Sequence, residues 1–279
     1  MAGTEVYNYN PSVAAAIIFA ILFGIAVLIV TYQTFRTRTW FLIPFVVGGY
    51  FEFTGYIARI LSAQQTPNWS IGPFIIQYLL ILVAPALFAA GIYMELGRII
   101  ILVHGEKQSI ISRRWMTKIF VAGDVISFFT QAIGAGNMAG RTAAAISRGQ
   151  TIILIGLVLQ VVSFLFFIVT AAVFHLRVRS GPTQKLLTEP NLPWQKHLLA
   201  LYATSFLILI RCVFRLIEYS QGRSGSLMTH EVFLYIFDSV LMLGTMLVFI
   251  VIHPSEVNAL LKGNGAKAVR NVVSVYGMM

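Results

Sequence analysis

Apolar runs separated by short polar breaks recur along the whole chain. The stretch from Val13 to Val30 is uninterrupted, and further runs follow at 41–61, 73–103, 119–138, 151–174, 198–219 and 231–253. A helix rises about 1.5 Å per residue and the hydrocarbon core of a bilayer is about 30 Å thick, so runs of this length span it. The pattern predicts an all-α polytopic membrane protein: one domain of seven transmembrane helices over 13–253, preceded by a short segment at 1–12 and followed by a tail at 254–279. No Lys or Arg precedes the first run, which therefore lacks the basic flank of a cleaved signal and reads as a span. The third run is too long to cross upright, so it should tilt or protrude, and Pro85 should kink it. The longest break, 175–197, holds Gly181-Pro182, Pro190 and Pro193 and reads as an irregular connector. In the tail, Ser255-Glu256 predicts the start of a short interfacial helix reaching Lys262.

Composition agrees with this picture, at 58% hydrophobic and 11% charged residues in 279. A net charge of +10 would suit a nucleic-acid partner, but the placement of the basic residues argues otherwise. Sorted by alternate breaks, thirteen Lys and Arg fall on one side and three on the other, Arg141, Arg148 and Arg223. The positive-inside rule then puts the N-terminus outside and the C-terminus in the cytosol, with the basic face beside anionic lipid of the inner leaflet. Asn68-Trp69-Ser70, an acceptor sequon, falls in the break between the second and third runs, on the outer side, and makes Asn68 a glycosylation candidate. The one cysteine, Cys212, lies within a span, which excludes an intrachain disulfide.

Ionised residues inside spans are expensive, and they normally face the bundle interior, pair, and mark a ligand or ion path. Arg211, Arg215 and Glu218 stand at i, i+4 and i+7 on the sixth run; Glu231, Tyr235, Asp238 and Met242 share one face of the seventh; Glu52, Tyr56 and Arg59 share one face of the second. Counting depth from the helix ends puts all seven ionisable groups of this set in the outer half. Four carboxylates against three guanidiniums leave one negative charge, to be compensated by a proton, water or a cationic ligand. Asp124, Gln131 and Gln160 add polar groups towards the interior, while Glu95 and Arg98 form an inner polar cluster near the cytosol. The plain alternative is an ion-pair network that fixes helix register and binds nothing.

Several chemistries are excluded. No span carries a lysine, so there is no retinal Schiff base, and no Gly-x-x-x-x-Gly-Lys-Ser/Thr loop is present for ATP hydrolysis. The five histidines lack metal-site spacing and read as structural or interfacial. No nucleophile elbow occurs; neither an enzyme nor a cofactor or metal is expected.

The ordered set Glu52-Phe-Thr-Gly-Tyr-Ile-Ala-Arg59, Ala84 to Ala90 running into Tyr93-Met-Glu-Leu-Gly-Arg98, Asp124-Val-Ile-Ser-Phe with Gln131, Gly156-Leu-Val-Leu-Gln160, Arg211-Cys-Val-Phe-Arg-Leu-Ile-Glu218, His230-Glu231, Phe237-Asp238 and His253-Pro254 resembles the fungal RTA-like family of lipid-translocating exporters. The resemblance runs over nearly the whole chain. It implies a plasma-membrane protein that exports or translocates sphingoid long-chain bases, related lipids or amphiphilic drugs; in some relatives, porphyrin or haem moves instead. A seven-helix lipid sensor acting through partners is the alternative, with membrane lipids as partners in either case and the choice between monomer and homo-oligomer left open. Three positions depart from the family pattern: Phe214 stands where a tyrosine is usual, Leu241 where a proline precedes Met242, and Gly134-Ala135-Gly136 where a glycine triplet follows the fourth helix. Leu241 predicts a straighter seventh helix.

Overall fold

The computed structural model describes residues 11–65, 71–138, 142–189, 192–221, 227 and 230–261. Within them the elements are α1 (Val13–Thr37), a 3-10 turn (Trp40–Leu42), α2 (Ile43–Ala63), α3 (Ile71–Leu102), α4 (Arg113–Met138), α5 (Ala143–Ser180), the short α6 (Gln184–Thr188), α7 (Trp194–Ser220), α8 (Glu231–Val251) and α9 (Ser255–Leu261). Seven of these are long and apolar enough to cross a membrane: α1 to α5, α7 and α8. The sequon at Asn68, the basic residues Arg141, Arg223, Lys262, Lys267 and Arg270, and residues 1–10 and 262–279 lie outside the described residues.

Local chemistry sets the ends. Ser12 caps α1, its hydroxyl accepting from the backbone N of Ala15 at 3.4 Å, and Arg38 closes it in the left-handed region at φ 53°. Pro44 sits in the first turn of α2, where a missing N–H costs nothing. Thr142 caps α5 in the same way as Ser12 caps α1, accepting from Ala145 N at 3.3 Å. Pro85 lies inside α3, which stays helical on both sides of it. With 32 and 38 residues, α3 and α5 run about 48 and 57 Å, well beyond the apolar thickness of a bilayer.

That length corrects one expectation. Among the described residues the break at 175–197 is largely helical: α5 continues to Ser180 and α6 follows, with short irregular pieces around Gly181-Pro182 and at Pro193. The second correction concerns α8. It is not a regular α-helix throughout, because Tyr235–Val240 winds as a π-helix immediately before Leu241. The short helix α9 is docked on the bundle: Ser255, Val257, Asn258 and Ala259 are buried and the helix packs against α3.

Neighbouring helices pair along the chain, α1 with α2, α2 with α3, and α4 with α5, while α7 packs on α3, α5 and α8. The α4–α5 pair is close because glycine faces glycine: a Cβ on Gly134 would meet Gly149 O at 2.7 Å, and one on Gly149 would meet Gly134 O at 2.6 Å. Aromatic rings fill the interior, with Phe45 stacked on Phe249 and close to Phe88, and Tyr93 packed among Phe120, Phe164 and Phe167. Outward faces carry Ile18, Leu28, Phe129, Ile133, Val162 and Val169, an apolar surface suited to lipid rather than water.

Candidate functional site

The three polar stripes read from helical spacing converge. The face Glu52, Tyr56 and Arg59 of α2, the face Arg211, Arg215 and Glu218 of α7, and the face Tyr235, Asp238 and Ser239 of α8 are all buried. Asp238 is the hub. Its Oδ1 accepts from Arg211 Nε and its Oδ2 from Arg215 Nη2, so two forks close on one carboxylate. Arg211 Nη2 donates onward to the backbone oxygen of Ile81 on α3 at 3.0 Å, and Arg215 Nη1 to Glu218 Oε2 at 3.1 Å. Beside this hub Arg59 Nη2 donates to Glu231 Oε1 at 2.6 Å and Arg59 Nε to the Tyr235 hydroxyl at 3.0 Å; that hydroxyl donates to Glu231 Oε1 at 3.1 Å. Tyr56 and Ser239 share a hydroxyl–hydroxyl bond. The π-helical winding places Asp238 towards α7 and its neighbour Ser239 towards α2, so one turn of α8 serves two helices.

Glu52 is the odd member. Its side chain is 1% exposed, it stands within electrostatic reach of Asp238, Arg211 and Arg215, and its Oε1 accepts no hydrogen bond. Each of the other three carboxylates has a guanidinium partner, whereas no ion pair to Glu52 occurs among the described residues. The carboxylate left over in the count from the sequence is therefore Glu52.

Asp124, Gln131 and Gln160 are buried too, but in a separate network. Tyr93 donates to Asp124 Oδ2 at 2.9 Å; Gln131 Nε2 donates to Gln160 Oε1 at 3.1 Å and to Ser127 Oγ at 2.9 Å; Ser127 donates to Gly156 O at 2.6 Å. These bonds join α3, α4 and α5, and no hydrogen bond among the described residues links them to Asp238.

Glu95 and Arg98 of the inner cluster each reach a different partner. Arg98 lies over the Phe41 ring at 4.0 Å and donates to Asn258 Oδ1 on α9 at 2.8 Å. Glu95 faces His197 of α7, whose Nδ1 is 3.5 Å from its Oε1, and His197 Nε2 meets Glu256 Oε2 of α9 at 3.1 Å. Lys196 adds a second contact to Glu256 at 3.2 Å. Hydrogen bonding from His197 and from Lys196 holds the Glu256 carboxyl down to about 2, while burial, with His197 nearby, pushes His253 down to about 3. His197, Glu256 and Asn258 escaped the sequence reading as site residues. His197 was detectable, since it shares a buried helical stripe with Leu201, Ser205, Ile208 and Arg211; the partners on α9 were not, because contact with them depends on how the tail folds back.

With this geometry described, comparison with known proteins is decisive for the family. Residues 45–260 match the family described as RTA1 like protein. The chain belongs to the RTA1-like family. Protein RTA1 of Saccharomyces cerevisiae is 35% identical over 90% of this chain and 86% of its own length, and protoporphyrin uptake protein 1 of the same yeast is 36% identical over 88% and 91%. The sphingoid long-chain base transporter RSB1 of Saccharomyces cerevisiae (strain Lalvin EC1118 / Prise de mousse) is 26% identical over 88% of this chain and 72% of its own. No solved structure matches the chain. Two of these relatives bear names of uptake or transport proteins, and of the charged residues that the resemblance picked out, Glu52, Arg59, Arg211, Arg215, Glu218, Glu231 and Asp238 come together in the fold.

Proposed function

We propose that this protein translocates amphiphilic lipids or drugs bearing a cationic head group, sphingoid long-chain bases foremost, across the plasma membrane. The carrying observation is Glu52, a buried carboxylate left without a guanidinium in a cluster where every other carboxylate has one. An isolated charge in low dielectric needs a counter-charge, and an ammonium head group supplies it. The head group enters among Glu52, Asp238, Glu218 and Glu231 while the hydrocarbon tail stays in lipid between helices. Arg59, Arg211 and Arg215 keep the paired carboxylates ionised, and they would take a phosphate if the lipid carried one. With the basic face in the cytosol, the cluster opens towards the outer leaflet. The chain carries no ATP loop of the kind named above, so movement is downhill, proton-coupled or driven by a partner. The relative named as a sphingoid long-chain base transporter supports this substrate class.

A second reading has its own support in the relative named as a protoporphyrin uptake protein. Such an anionic ring would address the guanidiniums rather than Glu52. Purified protein in liposomes, offered a fluorescent sphingoid base with protoporphyrin as competitor, tests both. Flux lost in Glu52→Gln with the thermal midpoint kept supports the proposal; competition with loss only in Arg59, Arg211 or Arg215 variants supports the porphyrin reading. Saturable binding without flux assigns a lipid sensor.

A further inference from the structure

At the opposite end of the bundle three buried polar atoms face one another without a hydrogen bond: Glu95 Oε1, Glu95 Oε2 and His197 Nδ1. Both side chains are fully buried, and the 3.5 Å approach of Nδ1 to Oε1 is too poorly aligned to be one. The other face of the ring is occupied: Glu256, an ionised carboxylate that can only accept, lies 3.1 Å from His197 Nε2, so Nε2 donates to it. Both oxygens of the buried Glu95 carboxylate are thus acceptors without a hydrogen-bond donor among the described residues, and the His197 ring flanks them. A primary ammonium has three N–H donors.

We propose that Glu95 and His197 form a second ammonium site, which receives the same cationic head group at the α9 end of the bundle. The proposal rests on the transport reading above and extends it: the lipid's head group has one station at Glu52 and another at Glu95. Helix α9 covers the second station. Glu256 fixes the imidazole from outside, Lys196 holds Glu256, and Arg98 with Asn258 pins the helix. Release of α9 frees the ring and gives the head group an exit.

The test uses the full chain in nanodiscs of neutral lipid. Dicyclohexylcarbodiimide, which attacks buried carboxyls, is applied with and without sphingosine, and labelled peptides are read by mass spectrometry. Sphingosine is expected to slow labelling at both Glu52 and Glu95 by about tenfold, a difference of about 1.4 kcal/mol in occupancy terms. N-acetylsphingosine, with an amide for the ammonium, leaves both rates unchanged, and Glu256→Gln speeds the labelling of Glu95. Protection of Glu52 alone overturns the second station and leaves the transport reading standing; protection of neither contradicts both. Should Glu95 take no label, Glu95→Gln decides by flux of a fluorescent sphingoid base in liposomes. That variant removes a buried charge that has no hydrogen bond, so its fold is retained. Flux falling about tenfold supports the site, and flux within about twofold of the parent overturns it.

Discussion

The cluster around Asp238 and the cluster around His197 both bury carboxylates between helices, yet they neutralise them by different means. Around Asp238 the counter-charges are guanidiniums, planar forks that bind a carboxylate through several fixed bonds and stay charged at any physiological pH. Around His197 the counter-group is one imidazole shared between Glu95 and Glu256, and it satisfies only the second. The first arrangement ties α7 to α8 and leaves one carboxylate, Glu52, outside the ties. The second ties α7 to a seven-residue helix and leaves Glu95 without a hydrogen bond. In both places the unsatisfied acceptor, not the well-formed ion pair, is where a cation has something to gain.

Breaking the Asp238 hub should give the largest effect. Asp238→Asn leaves two buried guanidiniums facing an amide, and loss of one partner from a buried pair costs about 3–5 kcal/mol. A marked drop in thermal midpoint together with lost flux is expected, whereas Glu52→Gln in the same cluster should lose flux with no loss of midpoint. Equal destabilisation by the two would erase the distinction between tied and untied carboxylates. Arg59→Met comes next, at about 2 kcal/mol, since Glu231 is 14% exposed and partly recovers its loss in water. Tyr56→Phe removes one hydroxyl partner of Ser239 and should cost about 1 kcal/mol, measured as a small midpoint shift.

The smallest global effect is local to α9. His253, held down to about 3 against an ordinary 6.5, binds a proton more readily once α9 is released; docking therefore weakens as pH falls from 6.5 towards 3. Glu256, held down to about 2 against 4.5, acts in the same direction, and its contribution is lost as pH falls from 4.5 towards 2. Lys196, His197 and Glu95 face the same spot and set the local charge. Amide exchange over Ser255–Leu261, corrected for the intrinsic rate, should rise on acidification below 6.5 while α7 stays protected. Flat exchange across that range would contradict the docking account.

The seven spans were legible from the length of their apolar runs, and the polar stripes around Asp238 from helical periodicity, which fixes the face a side chain occupies whatever its tertiary neighbours. Arg211, Arg215 and Asp238 met as their spacing required. The pairing of Glu95 was not legible. Periodicity put Glu95 and Arg98 one turn apart and suggested a common cluster, but their partners, His197, Glu256 and Asn258, come from elements 100 and more residues away in sequence. The π-helical turn at Tyr235–Val240 was hidden for another reason, since no residue type marks it. The helical character of 175–197 was masked by Pro182 and Pro193, which lie between helices rather than inside them.

The central claim is that the unpaired carboxylate Glu52 receives the cationic head group. Its most direct test is the rate at which purified protein, alone in liposomes, moves a fluorescent sphingoid base from one leaflet to the other, compared between the parent chain and Glu52→Gln. The account predicts saturable flux in the parent and its loss in the variant, with the thermal midpoint unchanged. Parent-like flux through Glu52→Gln would contradict it.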